Sequence, residues 1–147
     1  MWFSKKPNAN VASQGTTTGA AKPTTKVRGD AAEAIALAHL QAAGLKLLER
    51  NFNTPGRGGG EIDLVMAAPD GTLVFVEVRQ RASATHGGAG ASISAVKQRR
   101  IVFAAQHYLM RYKTLPPCRF DVLLVEGALV GSAAPKIEWL RGAFDAS

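Results

Sequence analysis

The sequence predicts an α/β fold in which a mixed β-sheet is flanked by helices. The first observation is the order of local patterns: a helix, three strands, a second helix, and two further strands over residues 118–126 and 136–140. The second is the long helical pattern between the strand groups, because it implies a crossover and therefore parallel as well as antiparallel neighbours. The third is size, since 147 residues with 46% hydrophobic content suffice for one core and are few for two.

Residues 1–27 are predicted to form a disordered basic tail, and residues 28–147 the folded domain. The tail is poor in large apolar residues, so it buries too little surface to offset its ordering entropy. Five basic residues and no acidic ones lie up to Arg28, which leaves 13 basic against 11 acidic residues in the remainder. Most of the net charge of +7 therefore belongs to this tail, either as a weak nucleic-acid-binding arm or, in the interpretation we favour, as a solvated segment.

Composition also narrows the class of protein. The single cysteine, Cys118, excludes an intrachain disulfide framework and fits a reducing compartment. The sequence has no run of about 18 apolar residues, so no membrane span is expected. Lys5 and Lys6 are not followed by the apolar segment that a secretory signal requires. We therefore expect a cytoplasmic protein.

The first helix is predicted over residues 30–43, with Asp30 at its N-terminus and Gly44 just past its C-terminus. At helical spacing, Glu33 shares a face with the apolar residues of the core stripe. One interpretation is that this carboxylate points inward and needs a partner, because an uncompensated buried charge is costly. The other is that it lies at the rim in the first turn and interacts with the helix dipole.

A short strand is predicted over residues 45–50, and a glycine-rich loop over residues 54–60 leads into the next strand. The loop lacks the residue spacing of a nucleotide-binding loop and does not open onto a helix. Its glycines would let a bulky ligand approach the backbone closely. A loop without contacts is the alternative.

Residues 60–81 are predicted to form a β-hairpin, because two runs rich in Val, Ile, Leu and Phe flank a Pro-Asp-Gly turn at 69–71. Residues that face each other then have numbers summing to about 140, so Asp63 faces Glu77. Carboxylates so opposed lie roughly 4.5–5.5 Å apart at Cβ and destabilise the sheet unless a divalent cation, a shared proton or a basic side chain compensates. In a register shifted by two, each carboxylate instead pairs with an arginine at the end of the second strand.

A second helix is predicted over residues 92–112, with Ser92 or Ser94 as its N-cap. Its apolar positions are Ile93, Val96, Ile101, Ala104, Ala105 and Tyr108. Lys97 lies one turn from apolar positions on either side, so its amine can extend from the apolar stripe toward the hairpin carboxylates. Arg99 and Arg100 point elsewhere and either meet phosphates or form a solvated basic turn.

Glu33, Asp63 and Glu77 are therefore predicted to form an acidic cluster, with Lys97 or Arg79 as a cation at its rim. Carboxylate oxygens suit a hard cation, and Mg²⁺ or Mn²⁺ is favoured over zinc because no set of Cys and His residues accompanies them. Such an ion lowers the pKa of its bound water and stabilises charge on a phosphodiester. The cluster predicts metal-dependent phosphodiester hydrolysis.

The motifs of the chain resemble those of the YraN-like family of small bacterial proteins, over nearly the whole length after the tail. The matching stretches are Gly29-Asp30-Ala31-Ala32-Glu33, Arg50-Asn51, Gly60-Glu61-Ile62-Asp63-Leu64-Val65, Phe75-Val76-Glu77-Val78-Arg79, Lys97 and Arg119-Phe120-Asp121-Val122. That family is similar in turn to the PD-(D/E)xK nuclease superfamily, with its restriction-endonuclease-like αβββαβ core, which includes archaeal Holliday-junction resolvases. By resemblance, Glu33 matches the acid of the first helix, Asp63 the motif aspartate, Glu77 the (D/E) position and Lys97 a basic residue of the second helix.

The resemblance implies a nucleic-acid-binding protein with a Mg²⁺- or Mn²⁺-dependent endonuclease centre. Asp63 and Glu77 would ligate the metal, and Glu33 would do so directly or through water. The chain departs from the motif at Arg79, where the superfamily has lysine, because arginine keeps its proton and can stabilise charge but cannot act as a base. Either Lys97 substitutes for that lysine, or the protein is a non-catalytic binding module that retains the nuclease fold.

The same resemblance suggests partners. The arginines expected to contact phosphates are Arg57, Arg81, Arg99 and Arg100. DNA is expected rather than RNA, branched DNA by analogy with resolvases, and a homodimer because a resolvase must cut two strands. A third class, a protein-interaction adaptor that uses the basic tail, remains as an alternative.

Overall fold

A computed structural model of the chain describes residues 25–56, 59–81, 93–126 and 135–146. They form two helices and five strands, which are α1 (Thr25–Ala42), β1 (Lys46–Asn53), β2 (Glu61–Ala67), β3 (Leu73–Arg81), α2 (Ala95–Leu109), β4 (Cys118–Glu126) and β5 (Lys136–Phe144). The sheet order is β1-β2-β3-β4-β5, parallel between β3 and β4 and antiparallel elsewhere. This mixed sheet with two helices confirms the predicted α/β fold, and α2 lies in the crossover that a parallel pair requires.

The first helix begins at Thr25, earlier than predicted, and residues 1–24, which make up most of the predicted tail, lie outside the described residues. Among residues 25–29 only Gly29 is a strong helix breaker, and a helix tolerates an internal glycine at a cost of about 1 kcal/mol. Asp30 therefore lies inside α1 instead of at its N-terminus. Glu33 lies in the third turn, so the interpretation that placed it in the first turn beside the helix dipole is wrong.

The two helices pack on opposite faces of the sheet. Because side chains alternate along a strand, Leu64 and Met66 of β2 pack against α1 while Val65 packs against α2. The central strand β3 alternates in the same way and is buried on both faces from Leu73 to Glu77. A charged residue within such a strand is exceptional, so the environment of Glu77 needs a specific explanation.

The hairpin has the predicted turn and register. The pairs of β2 and β3 are Leu64 with Val76, Val65 with Phe75, Met66 with Val74 and Ala67 with Leu73, and the two numbers of each pair sum to 140. At the turn, Gly71 has a φ of 93°, which glycine adopts without steric cost, and its N–H donates to the Ala68 carbonyl at 2.9 Å. The paired ladder ends at Leu64 and Val76, one position short of Asp63 and Glu77, so the predicted pairing of these two residues is not part of it.

The second helix is shorter than predicted at both ends. Its N-cap is Ser94, whose hydroxyl accepts a hydrogen bond from the Lys97 N–H at 3.1 Å. The buried positions of α2 are Ile101, Ala104, Ala105 and Tyr108, as predicted. Val96 is 48% exposed, so its assignment to the apolar face is wrong. Neither helix in the described chain is long and apolar enough to cross a membrane.

The glycines that lead into β2 are required by packing. A Cβ at Gly60 would collide with the backbone carbonyl of Arg100, and a Cβ at Gly59 would collide with the Thr54 hydroxyl. Gly60 therefore permits the close approach of α2, where the sequence suggested a ligand. This packing holds the N-terminal turns of α2 against the start of β2.

A buried carboxylate ties β5 to β4. Asp121 is fully buried and accepts hydrogen bonds from the Arg119 Nε at 3.1 Å, the Trp139 Nε1 at 2.8 Å and the Gly142 N–H at 3.0 Å. The pairing of β4 with β5 shifts register between Phe120 and Val122, next to this carboxylate. β5 continues to residue 144, beyond the predicted end at residue 140, because Asp121 satisfies the backbone N–H of Gly142.

Candidate functional site

The site lies where the regular alternation of β1 and β2 breaks. Leu64 packs toward α1, yet Ile62, two positions away, packs in the core on the α2 side. In the facing strand, Asn51 has a φ of 50°, an uncommon left-handed conformation for a residue other than glycine. Asp63 lies at this break, beyond the end of the paired ladder. Its Oδ2 accepts a hydrogen bond from the backbone N–H of Val78 at 2.8 Å.

Three carboxylates from separate elements meet at this break: Glu33 of α1, Asp63 of β2 and Glu77 of β3. Asp63 lies within hydrogen-bonding reach of both glutamates, and Glu77 is only 8% exposed. Within the described segments, no group of three or more His, Cys, Asp or Glu side chains has the geometry of a ready-made metal cage. The carboxylates are thus neighbours without forming a closed coordination shell.

Burial and mutual repulsion make these carboxyl groups hard to ionise. Burial, followed by the neighbouring charge of Asp63, raises the pKa of Glu77 from 4.5 to about 7 against the opposing charge of Lys97. Burial, followed by the charge of Asp63, also raises the pKa of Glu33 to about 7. Burial raises the pKa of Asp63 against the opposing effect of the Val78 N–H. The cluster therefore binds protons, or another positive charge, more readily than isolated carboxylates do.

The raised pKa of Glu77 predicts that the protein loses stability between about pH 5 and pH 8. A carboxyl group whose pKa is higher in the folded chain stabilises the fold fully below its unfolded value of 4.5, and this contribution is lost as the pH rises through about 7. For Glu77 the loss is on the order of 1–3 kcal/mol. We expect urea unfolding to give a lower free energy of unfolding at pH 8 than at pH 5. In Glu77→Gln this difference in free energy is expected to be smaller. Equal pH dependence in both proteins would contradict the assignment.

Lys97 supplies the positive charge beside the cluster. Its Nζ lies 3.3 Å from Glu77 Oε2, with 47% of the lysine side chain exposed and 10% of the glutamate side chain. The predicted contact between this lysine and a hairpin carboxylate is confirmed. Arg79 occupies the same face of β3 as Glu77, since the regular ladder with β4 continues past both residues.

Asn51 contacts the cluster from the edge strand β1, and the sequence analysis assigned it no role. Its side-chain amide donates to both carboxylate oxygens of Glu33 at 3.2 Å and to Glu61 Oε2 at 3.3 Å. The neighbouring Arg50 reaches Glu33 Oε1 at 3.8 Å. The signal that could have found Asn51 is its residue type, because asparagine is enriched several-fold in left-handed conformations.

The basic residues predicted to bind nucleic acid are distributed unevenly. Arg100 and Lys97 line a cleft of about 330 Å³ beside Glu61 and the glycines that precede β2. Arg99 lines a different cleft, along the outer side of α2 next to Phe103. Arg57 lies outside the described residues, and only the backbone of Arg81 is described, at the end of β3. A larger cleft of about 620 Å³ between α2 and β5 contains none of the three carboxylates.

The sequence of this chain matches a protein family and several of its members. A family model described as "Uncharacterised protein family UPF0102" matches residues 32–125, which include all three carboxylates and Lys97. A UPF0102 protein of Polaromonas naphthalenivorans is 69% identical over 153 residues, which cover 100% of both chains. A UPF0102 protein of Albidiferax ferrireducens is 66% identical over 84% of this chain and 91% of the relative. A third, from Cupriavidus pinatubonensis, is 55% identical over 84% of this chain and 90% of its own.

Proposed function

This chain belongs to the UPF0102 family, and we propose that it is a nucleic-acid-binding protein that hydrolyses phosphodiester bonds with the help of Mg²⁺ or Mn²⁺. The membership confirms the YraN-like resemblance, whereas the likeness to the PD-(D/E)xK nucleases stays a prediction. The observation that carries the proposal is the meeting of Glu33, Asp63 and Glu77, from three separate elements, next to the amine of Lys97.

The donor set fits a hard divalent cation. Mg²⁺ is usually held by one or two carboxylates together with waters and substrate phosphates, so an all-protein cage is not required. Asp63 and Glu77 would be those two carboxylates, with Glu33 as a direct or water-mediated third. When bound, the metal supplies a water of lowered pKa and stabilises negative charge on the phosphodiester. The raised pKa values support this fit, because a cation would offset the burial and the mutual repulsion that make these carboxyl groups hard to ionise.

The basic side chains would act on the substrate. Lys97 is half exposed at the edge of the cluster, where its amine can stabilise charge on the attacking or leaving oxygen. Arg79 can stabilise charge from the same face of β3 but cannot act as a base. Arg100 would hold a backbone phosphate in the cleft that it shares with Lys97. Phosphate contacts by Arg57, Arg81 and Arg99 stay predictions, as do a preference for DNA, branched substrates and a homodimer.

A second candidate function is favoured by Arg79. At this position the motif that the hairpin resembles has a lysine, and an arginine there removes one means of activating water. A protein that binds nucleic acid without cutting it would retain the fold and the basic cleft. It would bind a cation without cleaving any substrate.

Calorimetric titration with Mn²⁺ tests the proposal and separates the two candidates. Wild type is expected to bind one Mn²⁺, and Glu77→Gln to bind it at least about tenfold more weakly, because a ligand charge is lost. Glu49→Gln is the matched control, since Glu49 pairs with Arg111 at the surface, away from the cluster. The same proteins are then incubated with single-stranded, duplex, flap and four-way DNA and with RNA. Binding without cleavage would favour the non-catalytic module, and no Mn²⁺ site in wild type would exclude the metal-dependent proposal.

A further inference from the structure

Asn51 stands out because it combines an uncommon backbone conformation with three hydrogen bonds to carboxylates. We propose that Asn51 is a positioning residue that holds the carboxylate of Glu33 in place beside Asp63 and Glu77. This inference rests on the proposed function, because it assigns Asn51 a part in assembling the metal-binding cluster.

The hydrogen bonds fit a holding role. The Asn51 nitrogen lies 3.2 Å from both oxygens of Glu33, so the amide faces the carboxylate symmetrically and fixes its orientation. The same nitrogen lies 3.3 Å from Glu61 Oε2, so its second N–H has an acceptor as well. An amide is neutral, and it therefore orients Glu33 without neutralising it. Asn51 therefore adds no positive charge to that of Arg50, which already lies 3.8 Å from Glu33 Oε1.

The backbone conformation explains how the amide reaches Glu33. Successive side chains of a regular strand point to opposite faces, so two neighbouring residues cannot both contact one side chain above the sheet. Arg50 and Asn51 nevertheless both contact Glu33 of α1. The left-handed conformation at Asn51 permits this by turning the two side chains to the same side. Phe52 then continues on the opposite side, where its ring lies 5.3 Å from that of Tyr108.

A purely structural role accounts poorly for this arrangement. Asn51 is exposed on the edge strand β1, where hydrogen bonds to charged groups compete with water and contribute little net stability. A left-handed residue costs free energy that glycine would avoid. Strained residues that persist at exposed positions cluster at functional sites. The hydrogen bonds of the Asn51 amide to the carboxylates therefore account for this residue better than stability does.

Two substitutions separate the amide from the backbone. Asn51→Gly removes the side-chain amide, and glycine adopts the same backbone φ without strain. Asn51→Asp keeps the shape of the side chain but replaces the donating amide with a third carboxylate beside Glu33 and Glu61. We expect both to bind Mn²⁺ about 10–100-fold more weakly by calorimetry, as for other residues that orient metal ligands. We expect the melting temperature of Asn51→Gly to stay within a few degrees of wild type. A direct ligand role predicts the opposite for Asn51→Asp, since an added carboxylate would tighten binding.

A double-mutant cycle with Glu33→Gln decides whether Asn51 acts through Glu33. If it does, Asn51→Gly changes Mn²⁺ affinity less than about twofold in the Glu33→Gln background, although it has its full effect in wild type. Independent effects in the two backgrounds would overturn the inference, as would unchanged affinity in Asn51→Gly or tighter binding in Asn51→Asp. These results would leave the proposed function intact. Failure of wild type to bind Mn²⁺ would overturn the function and this inference together.

Discussion

If the protein hydrolyses phosphodiesters as proposed, Asp63→Asn is expected to lower the cleavage rate by at least about 10³-fold, equivalent to about 4 kcal/mol of transition-state stabilisation. Asp63 is the carboxylate that reaches both Glu33 and Glu77, so its charge acts on both glutamates. The substitution preserves shape and leaves an amide oxygen that can accept the Val78 N–H, which Asp63 binds at 2.8 Å. Single-turnover cleavage of the best substrate measures the effect.

Stability separates this loss of activity from loss of folding. Asp63→Asn removes a buried charge that lies beside two other carboxyl groups, so above about pH 7 we expect the variant to be at least as stable as wild type. Asp70→Asn is the matched control, because Asp70 lies in the turn of the same hairpin and caps the Thr72 N–H at 3.0 Å, outside the cluster. Full activity in Asp63→Asn would refute the assignment, as would equal losses in Asp63→Asn and Asp70→Asn.

Asp121→Ala is expected to destabilise the fold by about 3–5 kcal/mol, the cost of breaking a buried ion pair by removing one partner. The substitution leaves the Trp139 indole N–H and the Gly142 N–H without their acceptor, and it removes the partner of Arg119. It also leaves a cavity where β4 meets β5. Urea unfolding followed by tryptophan fluorescence measures the change, since Trp139 lies at the site of substitution.

Glu49→Ala provides the comparison for this prediction. Glu49 also pairs with an arginine, Arg111, at 3.4 Å, but 34% of its side chain is exposed. Exposed ion pairs contribute about 0–1 kcal/mol, so this change is expected to have a small effect. If Asp121→Ala cost no more than Glu49→Ala, the anchoring role of Asp121 would be wrong.

Several features of the fold and the candidate site could be predicted because they depend on residues near one another in the sequence. The Pro-Asp-Gly turn at 69–71 determines the hairpin register, and the register brings Asp63 and Glu77 to the end of the paired ladder at Leu64 and Val76. Helical spacing places Lys97 one turn before the buried Ile101, from where its amine reaches Glu77. The predicted ends of the elements are less accurate, as at the start of α1, because helix ends depend on weak local preferences.

Other features depend on contacts between distant segments. Asn51 and Glu33 are separated by 18 residues, so no local pattern predicts their hydrogen bonds, although the asparagine residue type favours the left-handed conformation that allows them. The extension of β5 likewise depends on Asp121, which lies 21 residues before Gly142.

By itself, the sequence determined the α/β class, the order of the elements, the hairpin register and the identity of the three acidic residues. These follow from side-chain periodicity and turn chemistry, which act over a few neighbouring residues. Only the tertiary structure decided between the two interpretations of Glu33, because its carboxylate lies beside Asp63, and only the tertiary structure showed that the Asn51 amide donates to it. The physical reason is that the packing of α1 and the break in β1 and β2 are set by the whole core, since a buried side chain must satisfy partners from every element around it.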